Sequence, residues 1–333
     1  MHAITYTELG RARDVLKLEE LAPGQPQPGE VGVALRYSGV NPSDTKSRAG
    51  RPGMQRPAFD LIVPHSDGSG IVDAVGEGVD PSRIGEQVWI WNAQWQRPFG
   101  TAASHIVLPA HMAVPLPAGI SLETGATLGI PGLTATHAVF GGGDVSGQTV
   151  LIQGGAGRVG LLAVQLAKWG GANVIATCSA RNMERVRAAG ADTVLDYRAA
   201  DLAEQILAAN NGKPVPRVIE VELGKNIEVD AQVIAPNGTL AVYGSALDMT
   251  PRIPFLPLLF KAVTIDIILI YLLSQSTRDA LIDKLHRALG AGALRSPVAQ
   301  VFPLDEAAAA HEAIEAGGHH GAILLDCTTA VSP

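Results

Sequence analysis

The stretch that most constrains this chain is Gly154-Gly155-Ala156-Gly157-Arg158-Val159-Gly160. It lies between the apolar run TVLIQ (149–153) and the amphipathic run LLAVQLAKWG (161–170). A glycine pattern alone is common. Placed after a strand and at the opening of a helix, it is the context in which backbone N–H groups can seat a diphosphate. Gly155 and Gly157 are expected to let the backbone approach the pyrophosphate, and Gly160 to let the helix pack closely on the strand. The helix start adds free N–H groups and about half a unit of positive charge. Gly155, Ala156, Gly157, Arg158 and Val159 are therefore candidate contacts. The alternative is a tight strand–helix turn with no ligand.

The surrounding pattern supports the ligand-binding reading. NVIATC (173–178), TVLDY (193–197), VIEVEL (218–223) and GTLAVYGS (238–245) read as strands, with a helix at ARNMERVRAAG (180–190). Strands alternating with helices predict a parallel, doubly wound sheet whose strand-to-helix loops share one edge. Residues 1 to about 120 differ. Short apolar runs at Val31–Tyr37, Gly70–Val75, Gln87–Trp91 and His105–Leu108 are cut by PGQPQPGE (23–30), NPSD (41–44) and DPSRIGE (80–86). That spacing predicts a small antiparallel barrel or sandwich. Residues 121–140 read as two short helices kinked at Gly129 and Pro131. Leu281, Ile282, Leu285 and Leu289 form one helix face before Gly290. A helix at Pro303–Gly317 and a strand at Ala322–Asp326 follow. The length of 333 residues favours two domains.

Composition removes several classes of function. With 47% hydrophobic and 17% charged residues the chain is no disordered segment. A net charge of −7 and the lack of a Lys/Arg run argue against nucleic acid as the main partner. Two cysteines, Cys178 and Cys327, cannot build a disulfide framework or a cysteine-rich zinc lobe, and their scarcity fits a reduced, cytoplasmic setting. The first residues, MHAITYTELGRARD, show no secretory signal. The most apolar window, Phe255–Leu273, contains Pro257, Lys261 and Asp266 and reads as buried or interface structure rather than a membrane span.

The second strand, Val174–Cys178, is expected to end beside an adenosine ribose. A carboxylate there marks an NAD site and repels a 2′-phosphate. This chain has Cys178, Ser179, Ala180, Arg181 and Asn182, with no carboxylate until Glu184. Ser179 and Arg181 could bind a 2′-phosphate, the guanidinium by a charge-assisted contact, and Tyr197 could lie beside it. The alternative is that Arg181 is a solvated residue at a helix start. The reading adopted is NADP(H).

Seven stretches together carry a family resemblance: SGVNPSDTKSRAG (38–50), PHSDGSGIVDAVGEGV (64–79), ATLGIPGLTATHAV (126–139), LIQGGAGRVGLLAVQLAK (151–168), VLDYRAADL (194–202), NGTLAVYGS (237–245) and FPLDEAAAAHEAIEAG (302–317). Across nearly the whole chain the sequence resembles the zinc-free quinone oxidoreductase, or zeta-crystallin-like, branch of the medium-chain dehydrogenase/reductase superfamily. The resemblance implies an α/β chain with a GroES-like β-barrel catalytic domain, 1–120 completed by 275–333, and a Rossmann NADP-binding domain, 121–274. It implies that Val242, Gly244 and Ser245 line the nicotinamide side and that Ile268 and Leu269 close over the coenzyme. Asn226, in the unusual run ELGKN, is a further coenzyme candidate. Ile265–Leu273 looks like the family's dimer-edge strand, so a homodimer or homotetramer is implied.

Zinc-dependent relatives place Cys where this chain has Asn41, and Gly-His-Glu where it has His65-Ser66-Asp67. Asn41 is a poor zinc ligand, and His65 is one residue out of step. A site rebuilt from His65, Asp67 and His105 is the alternative to ordinary loop hydrogen bonding. The reading adopted has no metal. Hydride transfer without one favours quinones or α,β-unsaturated carbonyls, where conjugation spreads the developing charge. Asn41 is then a candidate to hold the substrate oxygen or the nicotinamide ribose, and Asp44 to orient its loop. Lys46, where relatives often have Tyr, either supplies positive charge or is a solvated residue. Trp91, Trp95 and Phe99 are candidates for the substrate wall, although Trp91 and Trp95 could instead cap the barrel. The competing functions are an alcohol or carbonyl dehydrogenase and a non-catalytic NADPH-binding protein.

Overall fold

Each of six strands in residues 131–295 is separated from the next by a helix, and all six pair in parallel. The computed structural model describes residues 1–50 and 53–328. Across the sheet the strands run Thr193–Asp196, Asn173–Cys178, Thr149–Ile152, Val215–Glu220, Ile234–Val242 and Thr264–Ile267. In chain order this is 3-2-1-4-5-6, the doubly wound order of a dinucleotide-binding sheet. The first strand in the chain sits at the centre, and the direction of travel reverses between it and Val215–Glu220. The sheet is buried on both faces, so its strands are continuous apolar runs: Val150, Leu151, Ile152, Val174, Ile175 and Val218 have essentially no exposure.

The other unit holds Met1–Ile130 and the chain from Ser296 onward. Its seven-stranded sheet is organised around one long strand, Glu30–Val40. Along its whole length this strand pairs antiparallel with Asp67–Val75. On its other side the first half pairs with His105–Pro109 and the second half with Ala322–Asp326. The C-terminal strands Val298–Pro303 and Ala322–Asp326 thus extend a sheet begun by the N-terminal residues. A small hairpin of His2–Thr5 and Lys17–Glu20, unmarked in the sequence pattern, lies beside it.

The unit limits differ from the expected 120/121 and 274/275. The helix Leu122–Gly125 packs on the Asp67–Val75 and Gln87–Ile90 strands of the first unit, where Ser69 Oγ donates to the Leu122 carbonyl at 2.6 Å. The helix Gln275–Gly290 packs on Leu133–Phe140 of the second unit. Sequence periodicity identified the apolar face of this helix but not the surface that buries it. The last five residues of the expected 275–333 segment lie outside the described residues. Among the described residues no helix is long and apolar enough to cross a membrane.

Leu285 is fully buried on that helix face. Leu285→Ala is expected to lower unfolding stability by about 3 kcal/mol, measured by urea denaturation. A loss near zero would remove the helix from the core of the second unit.

Candidate functional site

The parallel sheet brings the predicted coenzyme residues to one edge. Gly154, Ser179, Tyr197, Val221, Tyr243 and Ile268 each stand at or just beyond the carboxyl end of one of its six strands. This is the edge at which open α/β sheets bind ligands, at the point where strand order reverses.

The glycine loop is shaped by three separate constraints. Gly154 has φ +69°, a left-handed conformation open to glycine. A Cβ on Gly160 would lie 2.3 Å from the Gly154 carbonyl oxygen, so the helix Arg158–Trp169 packs directly on loop backbone. Gly155 departs from expectation. It is buried, and a Cβ there would meet the Ala176 Cβ at 3.0 Å, so its bareness serves packing against the second strand. Gly157 is exposed, and a Cβ there would meet only the Gly154 carbonyl oxygen, at 3.4 Å; it caps the helix without a side chain. Together, the open glycine and helix start fit a diphosphate.

At the second strand's end, Ser179 is buried and its hydroxyl accepts from Asn182 Nδ2 at 3.0 Å, while Arg181 is exposed. Tyr197, half exposed, stands beside them because its N–H donates to the Cys178 carbonyl at 3.3 Å. Arg198 lies over the Tyr197 ring, 5.4 Å from its centroid. Sequence reasoning missed Arg185, whose Nη1 donates to the Ala156 carbonyl at 3.2 Å. It also missed Asp196, which neighbours Cys178 across the sheet and accepts from the Arg198 N–H at 3.0 Å.

On the far side, Val242 ends its strand and accepts from the Ile268 N–H at 2.8 Å. Ile268 is buried and Leu269 partly exposed. A Cβ on Gly244 would meet the Val221 carbonyl at 2.3 Å. The Ser245 hydroxyl is committed within the protein: it accepts from the Gly224 N–H at 2.9 Å and donates to the Asp248 carbonyl. Asn226 is likewise committed, donating to Glu220 at 2.9 Å, which turns it away from the coenzyme role expected of it.

In the first unit, Asn41 opens the helix Pro42–Ala49, and its N–H donates to Asp44 at 2.7 Å. Its side-chain amide donates to Asp67 at 2.8 Å. Asp67 also receives the Ile130 N–H at 2.9 Å, and Gly129 leaves room for that carboxylate, since a Cβ there would lie 2.1 Å from it. Lys46 is exposed on the same helix. Trp91 needs correction as a substrate-wall residue. It is buried, and its indole N–H donates to the His111 carbonyl at 3.3 Å, because the inward register of Gln87–Ile90 carries it into the sheet's end. Trp95 is half-buried. Phe99 lines an apolar cavity of about 310 Å³ with Leu21, Leu61, Val63 and Ile106; neither Trp91 nor Trp95 reaches it.

The residues weighed as a rebuilt metal site point to different partners. His105 pairs with Asp73 at 3.1 Å, and Asp67 is occupied as described. His65, held at φ +78°, belongs to a buried chain with one consistent direction. Thr101 donates its hydroxyl to the Asp67 carbonyl at 2.6 Å, so Ser38 must donate to Thr101 across 2.8 Å. His65 Nδ1 then donates to Ser38 at 2.8 Å, and His311 Nε2 donates to His65 Nε2 at 2.8 Å. With Nε2 filled and Asn41 turned on Asp67, these side chains do not fit a zinc ion. Among the described residues no group of three or more His, Cys, Asp or Glu is placed to hold a metal.

Two family models match: alcohol dehydrogenase GroES-like domain over residues 27–118 and zinc-binding dehydrogenase over 159–287. A quinone oxidoreductase of Pseudomonas aeruginosa is 31% identical, with 94% of this chain and 95% of the relative covered. Among solved structures, Escherichia coli quinone oxidoreductase complexed with NADPH superposes with a TM-score of 0.84 at 26% identity, covering 98% of this chain and 100% of that one. A 2-haloacrylate reductase gives 0.86 at 28% identity, covering 99% and 100%. The chain belongs to the quinone oxidoreductase branch of the medium-chain dehydrogenase/reductase superfamily, a family of oxidoreductases.

Burial pushes both histidines of the buried hydrogen-bond chain below their usual range, His311 to about 3, with Arg48 adding to the shift on His311 and His311 to that on His65. They are neutral when folded and take up protons on unfolding. Stability is therefore full above the usual histidine pKa of about 6.5 and falls as pH drops, by about 1.4 kcal/mol per pH unit per histidine. Urea unfolding at stepped pH measures this. His311→Gln, which keeps a donor to His65, is expected to flatten the slope, and an unchanged slope refutes the neutral pair.

Proposed function

We propose that this chain is an NADPH-dependent reductase that passes hydride to a quinone or an α,β-unsaturated carbonyl without a metal ion. The observation that carries the reading is the gathering of the glycine loop, Ser179, Arg181, Tyr197, Gly244 and Ile268 along one carboxyl edge of one parallel sheet. The NADPH complex of the Escherichia coli relative supports the choice of coenzyme. When bound, the coenzyme supplies the hydride.

The chain's own residues bind and orient. The Arg158–Trp169 helix start and Gly157 offer N–H groups and unfilled space to the diphosphate. Arg181 and Ser179 receive the 2′-phosphate, with Tyr197 alongside. Val242, Gly244, Ser245, Ile268 and Leu269 shape the nicotinamide end, Ser245 through the loop it fixes rather than through a free hydroxyl. In the first unit, Lys46 is the group proposed to meet substrate oxygen, while Asn41, buried and bonded to Asp67, and Asp44 hold the start of its helix. The commitment of Asn41 and His65 to Asp67 and His311 favours a metal-free reaction. An activated alkene or quinone suits that chemistry because its negative charge is delocalised and water can complete protonation. The name of the 2-haloacrylate reductase relative supports an activated alkene as acceptor.

Self-association is proposed through the outer strand Thr264–Ile267, which among the described residues pairs on one side only. Ile267, Leu272 and Phe260 are 76%, 70% and 82% exposed there. An unpaired strand edge with this much apolar surface is suited to cover by a second copy. Ile267→Lys is expected to yield monomers in sedimentation velocity; a monomeric wild type refutes the edge as a self-interface.

Following nicotinamide absorbance with a panel of quinones and enones tests the activity. NADPH oxidation with at least one acceptor is expected, and none with any acceptor overturns the reading. Arg181→Ala is expected to raise the NADPH KM about tenfold or more while leaving that for NADH unchanged; an equal change for both coenzymes removes Arg181 from the 2′-phosphate site.

A further inference from the structure

Beneath the glycine loop runs a polar path that coenzyme contact does not explain. Glu220, the last residue of its strand, and Asp230, in the helix Leu223–Val233, have no solvent exposure. Their carboxyl groups act on each other, and each keeps one buried oxygen that receives no donor. Two carboxylates only accept, so joining those oxygens requires a proton. Counting donors places it. Glu220 accepts from the Glu222 and Val221 N–H groups and from Asn226 Nδ2 at 2.9 Å. Asp230 Oδ1 accepts from Gln153 Nε2 at 2.9 Å. Glu220 Oε2 and Asp230 Oδ2 are buried without a hydrogen-bond partner and are the atoms left for a shared proton. Negative charge belongs on Glu220, which accepts more hydrogen bonds, and the proton on Asp230. Burial pushes the Asp230 carboxyl well up in pKa, and the charge on Glu220 adds to this.

The path continues in both directions. Gly154 N–H donates to Thr177 Oγ1 at 3.2 Å, and Thr177 donates to Gln153 Oε1 at 2.6 Å. Gln153 then donates to Asp230. On the other side, Glu222 gives its N–H to Glu220, while its carboxylate accepts the Ala246 and Leu247 N–H groups at 2.9 and 2.8 Å. The pair therefore stands between two sets of hydrogen bonds, one reaching the glycine loop through Gln153 and Thr177 and the other reaching the 246–247 loop through Glu222. Gln153 and Thr177 face the pair from the first two strands, and Asn226 from the helix. Tyr243 faces it from beyond the fifth strand, its hydroxyl pushed up by burial and then by Glu220. Lys261 is turned to the Ala231 and Gln232 carbonyls, and Glu204 on the neighbouring helix Leu202–Ala209 is exposed. Among the described residues no cation acts on either carboxyl.

We propose that Asp230 and Glu220 share one proton and act as a positioning pair that ties the glycine loop to the 246–247 loop, so that losing this proton loosens coenzyme binding. The coupling rests on the NADPH reading above; the shared proton does not. With two negative charges, the pair repels itself, and the Gln153 and Glu222 contacts lose their fixed geometry.

The test measures NADPH affinity by calorimetry from neutral to alkaline pH, together with the infrared carbonyl stretch of a protonated carboxylic acid in the full-length protein. Wild type is expected to show the band and to weaken about tenfold as pH rises. Asp230→Ala is expected to bind about tenfold more weakly at neutral pH. Asp230→Asn, which keeps a donor for Glu220 and an acceptor for Gln153, is expected to restore neutral-pH affinity, abolish the alkaline loss and remove the band. A band absent from wild type, or unaltered by Asp230→Asn, overturns the shared proton. Binding with the same pH profile in wild type and Asp230→Asn overturns the coupling. No NADPH binding at any pH overturns both the coenzyme reading and the coupling, and leaves the band to decide the proton.

Discussion

The near contact between Gly160 and the carbonyl of Gly154 sets the geometry of the second unit. A helix can lie against the backbone of the loop that leads into it only where neither residue carries a side chain into the gap. Once this packing is made, the helix axis, the loop and the central strand are fixed as one piece. The remaining five strands then add on either side, and their ends fall along the same edge. The candidate coenzyme contacts are a product of that arrangement. Ser179 and Tyr197 are eighteen residues apart in sequence and meet because adjacent parallel strands end together.

The first unit is organised on a different principle. Its polar groups near Asn41 are almost all turned on one another, and the local chain direction is enforced by them. Asp67 gathers an amide and a backbone N–H that approach from different segments. His65 accepts an unfavourable backbone conformation, which costs a non-glycine residue about 1 kcal/mol or more, and is held by bonds at both ring nitrogens. A buried network of this kind specifies one arrangement because every alternative leaves an unmatched donor or acceptor.

Much of this was legible in the sequence. The glycine loop, its flanking strand and helix, the alternation that follows and the sheet-forming runs of the first 120 residues depend on local periodicity, and local periodicity is what a sequence displays. The departures have a common origin in tertiary burial. Gly155 looked like a ligand-facing glycine but packs on Ala176. Trp91 looked like a pocket wall but fills the end of a sheet. Ser245 and Asn226 have the right chemistry for a ligand, yet their hydrogen bonds are spent inside the chain. Nothing in the sequence near His65 announces His311, which lies 246 positions away. Glu220 and Asp230 read as ordinary acidic residues because their neighbours in sequence are not their neighbours in space. The unit limits moved for the same reason: an amphipathic helix shows that it has a partner without showing which.

The placement of Ala322–Asp326 has a consequence for how the chain acquires its shape during synthesis. Glu30–Val40, an early segment, cannot complete its pairing until a strand nearly three hundred residues later has left the ribosome. Residues 131–295, by contrast, contain all six strands of their own sheet and can settle while translation continues. The amino-terminal half of the first sheet must therefore wait with part of its central strand unsealed, which reverses the usual vectorial order in which the earliest domain matures first.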